Sequence, residues 1–306
     1  MKILFISSGN AKNGISPIIK NQGQSLIDLG HQVVFYGIKG KGIKGYFSNI
    51  FKLKKFLKNK EFDCIHAHYS LSAMVAALSG AKPLVVSLMG SDVKESRFFK
   101  YLIIFFNSFF WKKVIVKSKD MQKASGLDEV YVIPNGVDVK KFKPYTKVEA
   151  LKITQWNSQK KHILFAANPA RFEKNFILAE AAFELLQESE FELHTLVDIP
   201  NDLMPYYFNS ADVVLLTSLW EGSPNVIKEA MACNSKIVAV DVGDIRKVIA
   251  DTKGCFVTGF TPQEIADRIQ EASSLEQKTT GRDTINHLTS ETIAHQLIKV
   301  YKSAIS

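Results

Sequence analysis

The chain has 306 residues, of which 46% are hydrophobic and 23% charged, an ordinary globular composition that argues against long disordered stretches. Its three cysteines, Cys64, Cys233 and Cys255, lie far apart and form no C-x-x-C motif, which argues against a disulfide framework or a structural zinc site. This cysteine usage fits a reducing cytosol. The opening residues, MKILFISSGN, carry one lysine and a short apolar run, so they predict a first strand and not a signal peptide.

The net charge of +9 is distributed unevenly between the two halves of the chain. Residues 1–147 carry 24 Lys and Arg against 9 Asp and Glu, a net charge of +15, whereas residues 148–306 carry 15 against 21, a net charge of −6. The basic half also contains the aromatic segment 97–113, RFFKYLIIFFNSFFWKK. Lysines and interfacial rings together would attract an anionic membrane surface, although a buried helix beside solvated lysines would give the same composition.

The basic half does not indicate a membrane span or a nucleic-acid site. The aromatic segment is interrupted by Lys100, Asn107 and Ser108, and it is too short to cross about 30 Å of hydrocarbon. No helix-turn-helix, zinc-finger or aromatic RNA-binding signature accompanies the charge, so we expect no nucleic-acid partner. We expect a cytoplasmic protein whose basic half could contact the inner face of the cell membrane.

Apolar runs with strand character alternate with helical periodicity in both halves, which predicts parallel sheets with crossover helices. In the first half the predicted strands are residues 2–7, 32–36, 64–67, 84–87, 114–116 and 130–133. In the second half they are residues 162–166, 192–197, 213–217, 236–240 and 255–257. The pattern therefore predicts an α/β protein with two Rossmann-like domains, residues 1–147 and 148–289.

The segment EGSPNVIKE, residues 221–229, predicts a helix start that binds an anion. Ser223 is a good N-cap, and Pro224 suits the first helical position because its missing N–H would be unpaired there. The amides of Asn225 and Val226 would then point outward with the positive end of the helix dipole behind them. Such a site is most naturally occupied by a phosphate.

Two carboxylates flank this helix start, Glu221 before it and Glu229 within the helix. Each carboxylate can accept hydrogen bonds from two vicinal hydroxyls at once. A carboxylate, an anion site and a second carboxylate together suit a sugar nucleotide. Taken alone, the two acids are better explained as one loop glutamate and one surface glutamate of a helix.

Two longer blocks of sequence place the chain near a known family. ADVVLLTSLWEGSPNVIKEAMACNSKIVAVDVGDIRKVI, residues 211–249, resembles the donor-site segment of family 4 glycosyltransferases, which are retaining enzymes of the GT-B fold. VYVIPNGVDVKKFKP, residues 130–144, resembles the segment that closes the first domain in that family. The resemblance implies two Rossmann-like domains that face each other across a cleft, with the C-terminal helix, about residues 290–306, packed on the first domain.

The resemblance also implies roles for residues of the second domain. Glu229 would hold the nucleotide's ribose hydroxyls, and Glu221 would bind the donor sugar near its reacting end. Arg171 and Lys174, in the loop ANPARFEKNF, would stabilise the charge that the departing diphosphate gains in the transition state. The segment Ser223, Pro224, Asn225 and Val226 would complete the cradle, and residues 194–200 would lie near the base.

In the first domain the family presents a glycine-rich loop toward the diphosphate, and Gly14 with its neighbour Asn13 matches it best. The loop lacks G-x-G-x-x-G, so an NAD site has little support. The turn SLMGSDV resembles the family's H-G-S-D turn but has Met89 in place of the histidine, so Ser91 and Asp92 would take over more of its polar work on the acceptor side.

The pair His66 and His68, in IHAHYS, matches a frequent H-x-H of the family. We expect His66 to have an acceptor-side or structural role and not to bind a metal, because partner carboxylates are not evident. The resemblance implies metal-independent transfer with no cofactor, in which a nucleoside-diphosphate sugar is the donor substrate.

The resemblance thus implies a retaining glycosyltransferase that moves a sugar from a nucleoside-diphosphate sugar, with uridine as the expected base, to a glycan or polyprenyl-linked acceptor in cell-surface polysaccharide biosynthesis. Two alternatives stay open. A noncatalytic GT-B subunit of another transferase is suggested by Met89 and by the short spacing of Arg171 and Lys174. A sugar-nucleotide epimerase would need its own acid and base near the anomeric carbon, and we find no such pair.

Overall fold

The computed structural model describes residues 1–12, 14–40, 42–90, 97–186 and 189–306, with the side chains of Ile43 and Arg97 left aside. The chain divides into two compact units. The first unit contains Met1–Gly136 and Ser290–Ser306, and the second contains Val137–Thr289.

The first unit has a sheet of parallel strands in the order β2-β1-β3-β4-β5-β6. Its described strands are β1 (Lys2–Ser8), β2 (Gln32–Ile38), β3 (Cys64–His68), β4 (Leu84–Ser87), β5 (Lys113–Val116) and β6 (Tyr131–Val132). Its described helices are α1 (Pro17–Asp28), α2 (Gly42–Phe47), α3 (Ile50–Leu57), α4 (Ser70–Leu78), α5 (Arg97–Phe109), α6 (Lys119–Ser125) and, at the end of the chain, α14 (Ser290–Ile305).

The second unit has a parallel sheet in the order β11-β10-β9-β7-β8. Its described strands are β7 (Lys161–Phe165), β8 (Phe191–Thr195), β9 (Val213–Leu216), β10 (Ile237–Val240) and β11 (Cys255–Thr258). Its described helices are α7 (Lys147–Thr154), α8 (Phe176–Glu184), α9 (Met204–Ser210), α10 (Asn225–Ala232), α11 (Ile245–Ile249), α12 (Pro262–Ser274) and α13 (Gly281–Thr284). Short 3-10 turns occur at Phe172–Lys174 and Asn286–Leu288.

The central strands form because helices cover both faces of each sheet, so their residues are apolar without alternation. In β9 and β10 every residue is buried, and in β1 the five residues from Ile3 to Ser7 are buried. The predicted fold class, an α/β protein with two Rossmann-like parallel sheets, is confirmed.

The division between the units lies earlier than the 147/148 boundary expected from the polar stretch that follows. Val137 and Phe142 are buried in the core of the second unit. Arg282 fixes this segment, because its guanidinium donates to the carbonyl oxygens of Phe142 at 2.8 Å and Val139 at 2.6 Å. The second unit therefore begins directly after Gly136, before the polar stretch.

The final helix α14 contributes to the first unit's core, where Ile293, Leu297 and Tyr301 pack with Ile3 and Phe5 of β1. It also packs against α1. A search of the described residues finds no helix with the length and apolar character needed to cross a membrane.

Candidate active site

The loop after β7 is held in place by the end of β9. It forms the 3-10 turn Phe172–Lys174, followed by Asn175 in the left-handed region at φ 52°. The hydroxyl of Thr217 donates to the carbonyl oxygens of Lys174 at 3.1 Å and Asn175 at 2.9 Å. Since the carboxyl ends of neighbouring parallel strands meet at one edge, this loop and the residues after β9 form one surface.

On this surface Lys174 and Glu221, 47 positions apart in the chain, form an ion pair. Nζ of Lys174 donates to Oε1 of Glu221 at 2.5 Å, and the Ser218 hydroxyl donates to the same oxygen at 2.8 Å. The two charged side chains are only 15% and 13% exposed, so water screens their interaction weakly. The structure therefore brings together two residues that the sequence predicted as site residues.

Arg171 is oriented by a different partner. Its guanidinium pairs with the Glu173 carboxylate, with Nε donating to Oε1 at 2.8 Å, and its side chain is 57% exposed. No hydrogen bond joins Arg171 to Glu221 among the described residues. Arg171 thus lies in the same loop as Lys174 but not in the same ion-pair network.

The helix start differs by one residue from the prediction. Helix α10 begins at Asn225, and Pro224 is its N-cap, with an extended backbone at ψ 123°. The predicted capping role of Ser223 is wrong, because Pro224 is the N-cap and the Ser223 hydroxyl accepts from Nζ of Lys228 at 3.1 Å. The Ser223 hydroxyl is therefore not used to cap the helix amides.

Lys228 is a site residue that the sequence analysis missed. Its side chain is fully buried beneath the helix start, and burial lowers its pKa to about 8 although Asp244 and Glu229 oppose that change. Burial likewise raises the pKa of Asp244. A lysine among the buried positions of an amphipathic helix was the available signal, since Ile227 and Ala230 beside it are also buried.

The carboxylate of Glu229 has no hydrogen-bond partner among the residues that the structure describes. The residue is half-buried, and burial raises its pKa to about 7, opposed by the charges of Lys228 and Lys141. Nearby, Oδ1 of Asn225 is buried and also lacks a partner within the described ranges. Unpaired acceptors of this kind can accept hydrogen bonds from a bound ligand.

A second missed residue is Gly243, in the turn after β10. It has φ +64°, and a Cβ there would lie 2.7 Å from the carbonyl oxygen of Gly222 and 3.1 Å from that of Glu221. Only glycine allows both this backbone conformation and this close approach. The turn therefore supports the backbone that carries Glu221.

In the first unit Gly14 closes a turn after β1. It has φ +82° and exchanges two backbone hydrogen bonds with Ala11, at 3.1 and 2.8 Å. The side chain of Asn10 connects this loop to Gly40. Its Nδ2 donates to the Gly40 carbonyl oxygen at 2.7 Å, and its Oδ1 accepts from the Gly40 N–H at 2.9 Å. Three predicted residues, Asn13, Ser91 and Asp92, lie outside the described residues.

His66 lies inside the first unit, and its structure fits the structural role kept open for it. The ring is fully buried, with Nδ1 2.7 Å from the Tyr301 hydroxyl and Nε2 2.8 Å from the Ser87 hydroxyl. Burial lowers the pKa of His66 well below its ordinary value and that of His68 to about 3. Both ring nitrogens of His66 thus have hydroxyl partners within the first unit.

Models of known protein families match most of the chain. The model described as Glycosyltransferase Family 4 matches residues 12–141, and the model described as Glycosyl transferases group 1 matches residues 160–274. The chain belongs to the group 1, family 4 glycosyltransferases. The second match covers the loop of Lys174, the segment from Glu221 to Glu229, and the turn at Gly243.

Curated relatives of this family 4 glycosyltransferase are only distantly similar to it. It is 25% identical over 230 residues to the UDP-Gal:alpha-D-GlcNAc-diphosphoundecaprenol alpha-1,3-galactosyltransferase of Escherichia coli, covering 60% of this chain and 59% of that protein. It is 26% identical over 246 residues to the putative teichuronic acid biosynthesis glycosyltransferase TuaC of Bacillus subtilis, covering 70% of this chain and 63% of TuaC. The chain thus spans less than two thirds of either relative.

Among solved structures, that of Anabaena HepE in complex with UDP and glucose matches this glycosyltransferase with a TM-score of 0.77. The identity is 18%, and the match covers 99% of this chain and all of that one. This likeness shows the fold, and the predicted GT-B fold is confirmed.

Proposed function

We propose that this family 4 member is a retaining glycosyltransferase that transfers a hexosyl group from a UDP-sugar to a glycan or lipid-linked acceptor in cell-surface polysaccharide biosynthesis. The names of the relatives support this proposal, since one uses UDP-Gal and a diphosphoundecaprenol-linked acceptor and another belongs to teichuronic acid biosynthesis. The UDP and glucose in the HepE structure support a uridine-linked donor.

The observation that carries the proposal is the unpaired carboxylate of Glu229, whose pKa burial raises to about 7. Holding a carboxyl group in this environment costs stability unless a ligand supplies donors. The vicinal hydroxyls of a ribose would supply two, and these hydrogen bonds would favour the ionised form. We assign Glu229 to the ribose on this basis.

The leaving diphosphate would lie between Lys174 and the first amides of α10. Lys174 would act there as a point charge, with Glu221 and Ser218 holding its ammonium in place. The backbone from Ser223 to Val226 would add helix-terminal donors. Arg171 would contribute after releasing Glu173, which its exposed position allows.

Retention would follow from attack on the face that the diphosphate leaves. The bond from the anomeric carbon to the phosphate oxygen breaks, the acceptor oxygen bonds the same carbon, and the acceptor proton passes to the departing phosphate oxygen. Glu221 would bind the donor sugar near that carbon. Because cationic side chains neutralise the leaving group, we propose that turnover needs no divalent metal and no cofactor.

Calorimetric titration with UDP tests the nucleotide site. Because a hydrogen bond to a charged group contributes about 1.5–3 kcal/mol, Glu229→Gln should weaken UDP binding about tenfold to a hundredfold. Glu180→Gln, on the exposed surface of α8, is the matched control and should bind UDP as the wild type does. If the wild type, Glu229→Gln and Glu180→Gln bind UDP with equal affinity, Glu229 does not contact the nucleotide.

Incubation with a panel of UDP-sugars separates an enzyme from the noncatalytic partner subunit that the sequence left open. A transferase should transfer or slowly hydrolyse one donor, and NMR of the first product should show the donor's anomeric configuration. Added Mg²⁺ or Mn²⁺ should leave the rate unchanged. An inverted product would contradict the retaining mechanism, and purified protein that binds UDP but never turns over any donor would favour the noncatalytic role.

A surface of the first unit has features that support peripheral contact with the inner face of the cell membrane. Four rings form a stripe along one side of α5, Phe98, Tyr101, Phe105 and Phe109, and they are 68%, 71%, 51% and 71% exposed. Helix α3, which like α5 packs on α4, exposes Phe51 beside its lysines. The first unit carries 22 Lys and Arg against 9 Asp and Glu, so its charge complements an anionic leaflet.

Liposome sedimentation tests this membrane contact. The double variant Phe98→Ser with Phe109→Ser should lose at least about tenfold in partitioning to anionic vesicles, since each ring buries apolar area in the interface. Phe172→Ser, an equally exposed ring of the second unit, should bind as the wild type does. Equal binding to neutral vesicles, or no loss in the double variant, would overturn the proposed contact.

A further inference from the structure

Two histidines and a glutamate converge at the edge of the second unit's sheet. His162 is the second residue of β7, and Glu192 and His194 are the second and fourth residues of the edge strand β8. The parallel register pairs His162 with Glu192 and Leu164 with His194. Because side chains alternate along a strand, all three project from the same face of the sheet.

The three nearest donor atoms form an almost regular triangle. Nδ1 of His162 lies 3.0 Å from Nε2 of His194, and each nitrogen lies 3.5 Å from Oε2 of Glu192. In a tetrahedral site with metal–nitrogen bonds of 2.0–2.1 Å, neighbouring ligand atoms are about 3.3–3.4 Å apart. The observed edges match one face of such a tetrahedron within a few tenths of an ångström.

The surroundings hold these donors in position. The Trp156 ring stacks on His194 with centroids 3.7 Å apart and an interplanar angle of 11°, and it also contacts His162. The side chain of His162 is fully buried, that of His194 is 19% exposed and that of Glu192 is 36% exposed, so solvent reaches the triangle from the glutamate side.

From this geometry we propose that His162, Glu192 and His194 bind one divalent transition metal of the zinc class, with solvent as the fourth ligand. Two imidazoles and one carboxylate suit zinc, whereas Mg²⁺ and Ca²⁺ prefer sites built from oxygen atoms. Imidazole binds such a metal in its neutral form, through the ring nitrogens that face each other here.

The role of this metal is structural. The strand β8 is at the edge of its sheet and pairs only with β7 among the described strands, so a metal would crosslink the edge strand to its single neighbour. His162 lies three residues before the end of β7, about 10 Å from the edge where the Lys174 loop begins, whereas His194 lies one residue before the end of β8. None of the three residues belongs to the Lys174–Glu221 ion pair, and zinc binding can be measured without the proposed transfer reaction.

The test is zinc titration of the full, tag-free chain after chelation and dialysis, followed by calorimetry and elemental analysis. The wild type should bind one equivalent. Glu192→Gln, which keeps the shape of an accessible side chain, and His194→Ala should each weaken zinc binding at least about a hundredfold, beyond the loss typical of outer-shell changes. His295→Asn, an exposed histidine of α14, is the control and should bind zinc as the wild type does.

Two further readouts keep the proposal falsifiable if His194→Ala folds poorly without its tryptophan contact. A hundredfold excess of zinc over its dissociation constant should raise the wild-type melting temperature by about 5–10 °C, and Glu192→Gln should lose that rise. Co²⁺ in place of zinc should give the intense visible bands of a tetrahedral site. If Glu192→Gln binds zinc as tightly as the wild type, the cluster is a hydrogen-bonded histidine pair only and the proposal is wrong.

Discussion

Replacing Glu229 with glutamine should stabilise the protein at alkaline pH while impairing its proposed nucleotide site. The folded carboxyl keeps its proton up to about pH 7, whereas in the unfolded chain it releases the proton near 4.5. Between these values the native state binds more protons than the unfolded state, so its free energy of unfolding falls as pH rises. Because a glutamine does not titrate, the variant should not show this fall in the free energy of unfolding.

The size of the effect follows from the two pKa values. The advantage of the variant should grow from under about 1 kcal/mol at pH 5 to about 3 kcal/mol above pH 8. For a unit of this size that corresponds to a melting temperature about 6–12 °C higher at pH 8.5. The variant keeps Lys228, so the buried ammonium is common to both proteins.

Scanning calorimetry of wild type and Glu229→Gln, at half-unit steps from pH 5 to 8.5, measures this difference. Glu180→Gln, exposed on α8, serves as the control and should follow the wild type throughout. A melting-temperature difference that does not change with pH would refute the reasoning, because it would mean that the Glu229 carboxyl is already ionised in the folded protein at pH 5.

Two further substitutions probe the groups around Glu221. Lys174→Met should lower the turnover rate of the proposed transfer by about 10²–10³-fold, because a positive charge at the leaving group is lost; steady-state kinetics with a saturating UDP-sugar measure it, and an unchanged kcat would contradict the assignment. Gly243→Ala should destabilise the protein by about 1–3 kcal/mol, since its Cβ would approach the Gly222 carbonyl to 2.7 Å at a positive φ. Chemical denaturation should show a smaller loss for Gly30→Ala, which has φ +83° but open space around its Cβ, and equal losses would leave only the backbone strain as the cause.

The sheets could be predicted from the sequence because their central strands are buried on both faces. Every strand anticipated from an apolar run is present, with ends that differ by a residue or two, as at β6, which is confined to Tyr131–Val132. The information that fixes a fully buried parallel strand is local. The position of the final helix needed the family resemblance, and the strand order became known only from the structure.

The features that the sequence misjudged depend on specific side-chain contacts. Ser223 is a favourable N-cap by residue type, but its hydroxyl accepts a hydrogen bond from Lys228 instead. The 147/148 boundary followed a change in composition, whereas Arg282, from much further along the chain, fixes the preceding segment to the second unit. The partnership of Lys174 with Glu221 has the same origin, because it forms only once two crossover connections have brought the strand ends together.

The histidine cluster shows a related limit. His162 and His194 lie 32 positions apart, on two strands whose adjacency is set by the sheet order, so they form no spacing that a motif could capture. His66 and His68 have the more suggestive spacing, yet the structure buries both within the first unit.

The helix α14 has a consequence for how the chain is made. Its residues complete the core around β1, but they are synthesised only after the entire second unit. At about 5–20 residues per second, the ribosome spends roughly ten to thirty seconds on that intervening unit. During this interval the core around β1 lacks Ile293, Leu297 and Tyr301, so Ile3 and Phe5 have fewer packing partners until α14 has followed the second unit.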